Sequence, residues 1–69
     1  MEIRTYGLSE LAILYLPNIN NKSASNQLSK WINSNNKLYD ELVRNGYKSR
    51  QKLLTPKQVN IIIDFLGEP

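Results

Sequence analysis

Ser23–Asn35, SASNQLSKWINSN, is the stretch whose reading decides the fold. Ala24, Leu28, Trp31 and Ile32 stand at i, i+4, i+7 and i+8, so they share one side of a helix. Asn26, Ser29, Lys30 and Asn33 fall on the other side. Trp31 is the only tryptophan and is expected to be the largest single piece of core. The outward row is rich in amides and hydroxyls and carries one cation. Such a face can lie against DNA or simply in water.

On the N-terminal side, Pro17–Lys22 reads as a turn headed by proline and rich in asparagine, with Ile19 as its one apolar anchor. Ser23 is then the expected N-cap of the helix. Before the turn lies a helix starting at Ser9, with Glu10 in its first turn, where a carboxylate favours the dipole. Leu8 and Ile13 form a candidate hydrophobic staple. Leu11, Ala12, Ile13, Leu14, Tyr15 and Leu16 make this helix nearly apolar all round, and Pro17 stops it. It should be buried, with the other helices or a second copy of the chain covering it. Glu2–Tyr6 alternates in character and reads as a short strand ended by Gly7.

On the C-terminal side, Asn35 and Asn36 interrupt the helix, and Asn36 is expected to cap a third one, Lys37–Asn45. Leu38 and Leu42 point inward there, with Tyr39 and Val43 as candidates for the same side. Gly46 suits the left-handed C′ position, and Tyr47 can fold back on Leu42 in a Schellman ending. Gln51–Leu54 reads as a second short strand. Thr55-Pro56-Lys57-Gln58 then opens a fourth helix, with a threonine cap, proline at N1 and a capping box closed by Gln58. Leu54 and Val59 supply its staple. The helix runs to Leu66, with Val59, Ile62, Ile63 and Leu66 on one face, and Gly67 ends it. Ile61 and Phe65 widen its apolar arc. A short strand, a leucine, a hydroxyl cap and an apolar helix thus occur twice, which suggests that the two strands pair. The expected architecture over residues 1–69 is a single, mostly helical domain. It has four helices in a helix-turn-helix-like, winged-helix-related arrangement and a short two-stranded β ribbon.

Sixty-nine residues make one domain that buries only about 60% of its unfolded surface, so its stability margin is thin. There is no cysteine and no histidine. Disulfides, thiolate metal sites, the commonest general base and the usual partner of a nucleophilic serine are therefore all missing. The longest apolar run, Leu11–Leu16, is far short of the roughly 18–20 residues a membrane span needs. With no signal-peptide pattern at the start, the expected location is the cytoplasm. Asp40 and Glu41 lie about 100° apart on a helix and do not converge as an acid/base pair. Ser9, Ser23 and Thr55 are better explained as caps than as nucleophiles, and the three glycines are isolated. The residues point to no enzyme, no cofactor and no metal.

Charge is more informative. Net charge is +3, but Lys22–Lys57 alone carries +6, and no anion falls between Arg44 and Lys57. Such asymmetry suits a polyanionic partner, although a solvated basic loop would look the same. A helix, a turn and a second helix with an amide-rich outer face is the layout of a helix-turn-helix reader. The candidate nucleic-acid-binding residues are Lys22, Asn26, Ser29, Lys30 and Asn33 on the second helix, and Lys48, Arg50 and Lys52 beside the ribbon. Asparagine can pair with adenine, and lysine can reach guanine or phosphate. The expected function is non-enzymatic DNA binding in transcriptional or mobile-element regulation. The alternative is a protein-interaction module, with homodimerisation through Ile13, Leu16, Ile61 and Phe65.

YGLSELAILYLP (6–17), KSASNQLSKWI (22–32), NGY (45–47), LLTPKQV (53–59) and LGEP (66–69) together resemble a family of very small bacterial proteins of unassigned function. The resemblance covers nearly the whole chain, with the blocks in the same order, and it implies no activity. More distantly, LSELA resembles the first helix of MerR-like and excisionase-like regulators, and SASNQLSKWI resembles their second. The turn Pro17–Lys22 departs from that pattern: it is longer than the usual three or four residues and lacks glycine.

Overall fold

The computed structural model describes residues 2–49 and 51–69. Along the chain it forms β1 (Tyr6–Gly7), α1 (Leu8–Tyr15), α2 (Asn21–Ser34), α3 (Asn36–Arg44), β2 (Leu53–Leu54) and α4 (Pro56–Leu66). The two strands pair antiparallel, Tyr6 with Leu54 and Gly7 with Leu53. One further bond, from the Leu8 N–H to the Lys52 carbonyl at 2.8 Å, carries the ladder past the strand. Each strand runs straight into a helix, so this ribbon brings the starts of α1 and α4 together.

The ribbon explains why α1 starts earlier than its sequence suggests. Gly7, not Ser9, is the N-cap, and Leu8 is already the first helical residue. The ladder fixes the chain one step before the hydroxyl, so Leu8 and Ile13 cannot form the staple. Tyr6 and Leu11 take those positions instead, and both are buried. Glu10 reaches back to accept from the Gly7 N–H at 3.2 Å. The strand itself is two residues long rather than Glu2–Tyr6. Similarly β2 is only Leu53–Leu54.

The caps of α2 and α3 are also shifted. Asn20 caps α2, accepting from the Ser23 N–H at 2.8 Å, so Ser23 lies inside the first turn. Asn35 ends α2 and caps α3 at once, accepting from the Leu38 N–H at 3.1 Å. Asn36 is the first helical residue. In both places the residue one or more positions earlier is an asparagine, whose short amide caps as well as a hydroxyl. The end of α3 follows the expected Schellman pattern: Tyr47 N–H bonds to the Leu42 carbonyl and Gly46 N–H to Val43, with Gly46 at φ +85°. The α4 capping box is complete, with Thr55 Oγ1 accepting from Gln58 N–H and Gln58 Oε1 accepting from Thr55 N–H.

Leu11, Ala12, Ala24, Leu28, Ile32, Leu38, Leu42, Leu54, Val59 and Ile62 are fully buried, and all four helices contribute. Helix α1 packs along α2, α2 against α3, and α3 against α4. Trp31 is not the centre of this core. The row Ala24–Leu28–Ile32 takes that place, and Trp31, turned about 100° from Ile32, is half-buried at the rim. There its ring meets Tyr15 edge-on, with centroids 6.2 Å apart. Nor is α1 covered on all sides: Leu8, Leu11 and Ala12 are buried, Ile13 and Tyr15 are half-buried, and Leu14 is exposed. A chain of this length has too few other elements to wrap a helix completely. Among the described residues no helix is long and apolar enough to cross a membrane.

Candidate nucleic-acid interface

The ends and the rotation of α2 decide which of its polar residues are exposed. Asn20 and Asn35 set its two ends, and the spacing of Ala24, Leu28 and Ile32 sets its rotation. Taken at 100° per residue, Lys22, Asn26 and Asn33 fall within an arc of about 40°, and Lys30 lies about 80° from Lys22. All four are exposed. Ser29 is the exception to the expected outward face. By angle it borders the row, but it is only 8% exposed. It lies on the same flank as Ser25, whose hydroxyl meets Ser9 of α1.

That flank borders an open cleft of about 350 Å³. One wall is the start of α1, with Gly7, Leu8 and Ser9. The other is α2, with Ser25, Asn26 and Ser29, and Lys52 completes the rim ahead of β2. The hydroxyls of Ser9 and Ser25 are 2.9 Å apart and join the two walls. Lys52 arrives there because its carbonyl is the ladder partner of Leu8.

Of the residues read from the sequence as a binding set, the cleft therefore gathers Asn26, Ser29 and Lys52. Lys22, Lys30 and Asn33 continue along the exposed face of α2 outside its lining. Lys48 is exposed, and its backbone N–H is held by Gln51 Oε1 at 2.9 Å. Arg50 lies outside the described residues. Gly7, Ser9 and Ser25 also line the cleft, outside the set that the sequence suggests. Their signal is faint: serines at 25 and 29 stand one turn apart beside the Ala24–Leu28–Ile32 row.

Glu10, whose carboxylate accepts from the Gly7 N–H beside this cleft, is paired with a cation. The Arg4 guanidinium, 2.9 Å from Glu10, holds the Glu10 carboxyl below its usual range, with the Gly7 N–H as a second cause. The same bond pushes Arg4 up. Arg4 also lies over the Tyr6 ring, 3.8 Å from its centroid. Among the described residues no three His, Cys, Asp or Glu side chains gather where they could hold a metal ion.

The connection between α1 and α2, Leu16–Asn20, is five residues long and has no glycine. Of the four residues read as a dimer contact, Ile13, Leu16 and Ile61 are half-buried and Phe65 is exposed. A family model described as a domain of unknown function, DUF4248, matches residues 2–69. The chain belongs to the DUF4248 family. No curated protein and no solved structure gives a significant match. DUF4248 membership fits the resemblance carried by the sequence blocks and brings no MerR-like or excisionase-like assignment with it.

Proposed function

We propose that this DUF4248 protein is a non-enzymatic DNA-binding domain of helix-turn-helix type, acting in transcriptional or mobile-element regulation. The observation that supports this reading is the shared cleft of Asn26 and Lys52. It joins one residue of the polar row of α2 to one cation of the segment after Gly46. In this reading α2 lies in the major groove. Asn26 and Asn33 address base edges there, Lys22 and Lys30 reach guanine or phosphate, and Lys48, Arg50 and Lys52 track the backbone. Ser29, being buried, has no part in reading bases.

The test is a fluorescence-anisotropy titration of the whole chain against a pool of genomic duplexes at low salt. Binding should weaken linearly in a double-logarithmic salt plot. Lys52→Gln should weaken it uniformly across sequences and reduce the salt slope by about 1, whereas Asn26→Ala should relax sequence preference. An absence of binding at low salt, where the electrostatic attraction is strongest, sinks the reading.

A second reading, a homodimerising interaction module, draws on the exposure of Leu14 and Phe65 beside half-buried Ile13, Leu16 and Ile61. Light scattering over a wide concentration range decides it: a monomer throughout removes the homodimer.

A further inference from the structure

We propose that the cleft between α1 and α2 is an oxyanion site that takes a phosphate group. This goes beyond the DNA reading, because it names the chemical group held and the atoms that hold it. Two independent features carry it.

The first is the start of α1. A helix N-terminus presents N–H groups and a partial positive charge. In α2, α3 and α4 an asparagine or threonine side chain accepts from that first turn. Gly7 brings no side chain to α1, and no side-chain cap forms there. The Leu8 N–H is taken by the Lys52 carbonyl, so the Ser9 and Glu10 N–H groups are the ones left to an acceptor from outside.

The second is Ser29. It is more than nine-tenths buried, yet its hydroxyl has no hydrogen-bond partner among the described residues. Every fully enclosed side-chain nitrogen or oxygen among those residues is bonded. The Ser29 Oγ therefore keeps an opening, and the space that Ser29 lines is this cleft. Through that opening a ligand or water can complete the hydroxyl.

The remaining lining suits an anion. Lys52 supplies a cation, Asn26 an amide donor, and Ser9 and Ser25 a pair of hydroxyls. No carboxylate lines the cleft, and Glu10 is tied to Arg4. The volume is roughly ten times a water's share of about 30 Å³, which leaves room for a tetrahedral oxyanion with water around it. The phosphate could belong to a nucleic-acid backbone or to a free phosphorylated molecule.

The experiment follows the amide resonances of the whole ¹⁵N-labelled chain. Inorganic phosphate is titrated against chloride at matched ionic strength. The expected result is saturable shifts confined to Ser9, Glu10, Ser29 and Lys52. Ser29→Ala should weaken the affinity several-fold with the rest of the spectrum unchanged. Gly7→Asp should abolish phosphate binding by placing a carboxylate at the same N–H groups. An added Cβ at Gly7 meets only ordinary contacts, with Glu10 Cβ at 3.7 Å the nearest, so this variant can fold. Shifts that do not saturate, that spread over the surface, or that persist unchanged in Gly7→Asp overturn the site. A second arm with a duplex oligonucleotide separates the two readings. Phosphate binding without duplex binding keeps the site and removes the DNA proposal. Duplex binding that leaves these amides unmoved keeps the DNA proposal and, where inorganic phosphate still saturates them, assigns the site to a free phosphorylated molecule.

Discussion

The Gln58 carboxamide donates to the Asn45 carbonyl at 3.0 Å, across thirteen residues of sequence, and so fastens the first turn of α4 to the end of α3. Gln58 is 1% exposed, and its oxygen accepts from Thr55 N–H and from Gln51 Nε2. Gln51 in turn receives the Lys48 N–H and donates to the Leu53 carbonyl. Two glutamines thus shape the segment that carries the basic residues, one of them hidden beneath it.

Replacing Gln58 by leucine leaves the Thr55 N–H, the Asn45 carbonyl and the Gln51 amide without this partner. Each buried group left unsatisfied costs about 1–3 kcal/mol, and water can reach some of them. Urea denaturation of Gln58→Leu should show a loss of about 2–3 kcal/mol despite the gain in apolar surface. A variant as stable as the parent would mean that the network contributes nothing net.

Gln58→Glu should make the protein's stability depend on pH at this position. The carboxylate still accepts from Thr55, but it cannot donate to Asn45, and burial disfavours its charge. Its folded pKa should therefore lie above the unfolded value of about 4.3. A raised folded pKa gives stability that is fully present below the unfolded value and is lost as pH rises through the folded one. The deficit of Gln58→Glu relative to the parent should be smallest in acid and grow toward neutrality. Paired thermal melts at several pH values check it, and a deficit that shrinks on raising pH contradicts it.

Gly46 stands at φ +85° with no atom within 4 Å of where a Cβ would be. The cost of a side chain there is then purely one of backbone conformation. Gly46→Ala should destabilise by about 1–2 kcal/mol, and Gly46→Asn by less, since asparagine visits the left-handed region more readily. Chemical denaturation of the pair against the parent measures both. A larger loss for Gly46→Asn than for Gly46→Ala would show that side-chain bulk, and not the sign of φ, is the obstacle.

Much of this fold is legible because local rules and tertiary packing agree. Thr55-Pro56-Lys57-Gln58 and the Gly46-Tyr47 ending are complete within a few residues of sequence, and both form as their patterns imply. The starts of α1 and α2 are not legible in this way, because two capping residues stand close together at each. Ser9 lost to Gly7 because a long-range bond between Leu8 and Lys52 sets the entry of the chain, and no local pattern contains it. The place of Trp31 is not legible either: its size argues for burial, while the rotation of α2 is set by the smaller row beside it. The candidate site shows the same division. The exposure of Lys22, Asn26, Lys30 and Asn33 follows from helical period alone. That Ser29 is buried, and that Lys52 comes to meet Asn26, depends on how α1 and the ribbon pack.

Tyr15 offers a check on how α1 closes against the end of the chain. Its hydroxyl donates to the Gly67 carbonyl, and its ring meets Trp31 edge-on. Partial burial pushes the phenol above its ordinary pKa, and the charge of Glu68 adds to this. Above the unfolded value of about 10, the unfolded chain gives up the proton before the folded one does. Stability is therefore fully present below about pH 10 and falls as pH rises through the folded pKa. Tyr15→Phe removes both the hydrogen bond and the titration. At neutral pH it should cost about 1 kcal/mol, and this difference should narrow as the solution is made alkaline. The tyrosinate absorbance of the parent, less that of Tyr15→Phe, isolates this one ring among the four tyrosines and should rise later than a free phenol. If it rises with the free phenol, or if the stability difference widens with pH, then the contact between α1 and Gly67 does not shield Tyr15 from water.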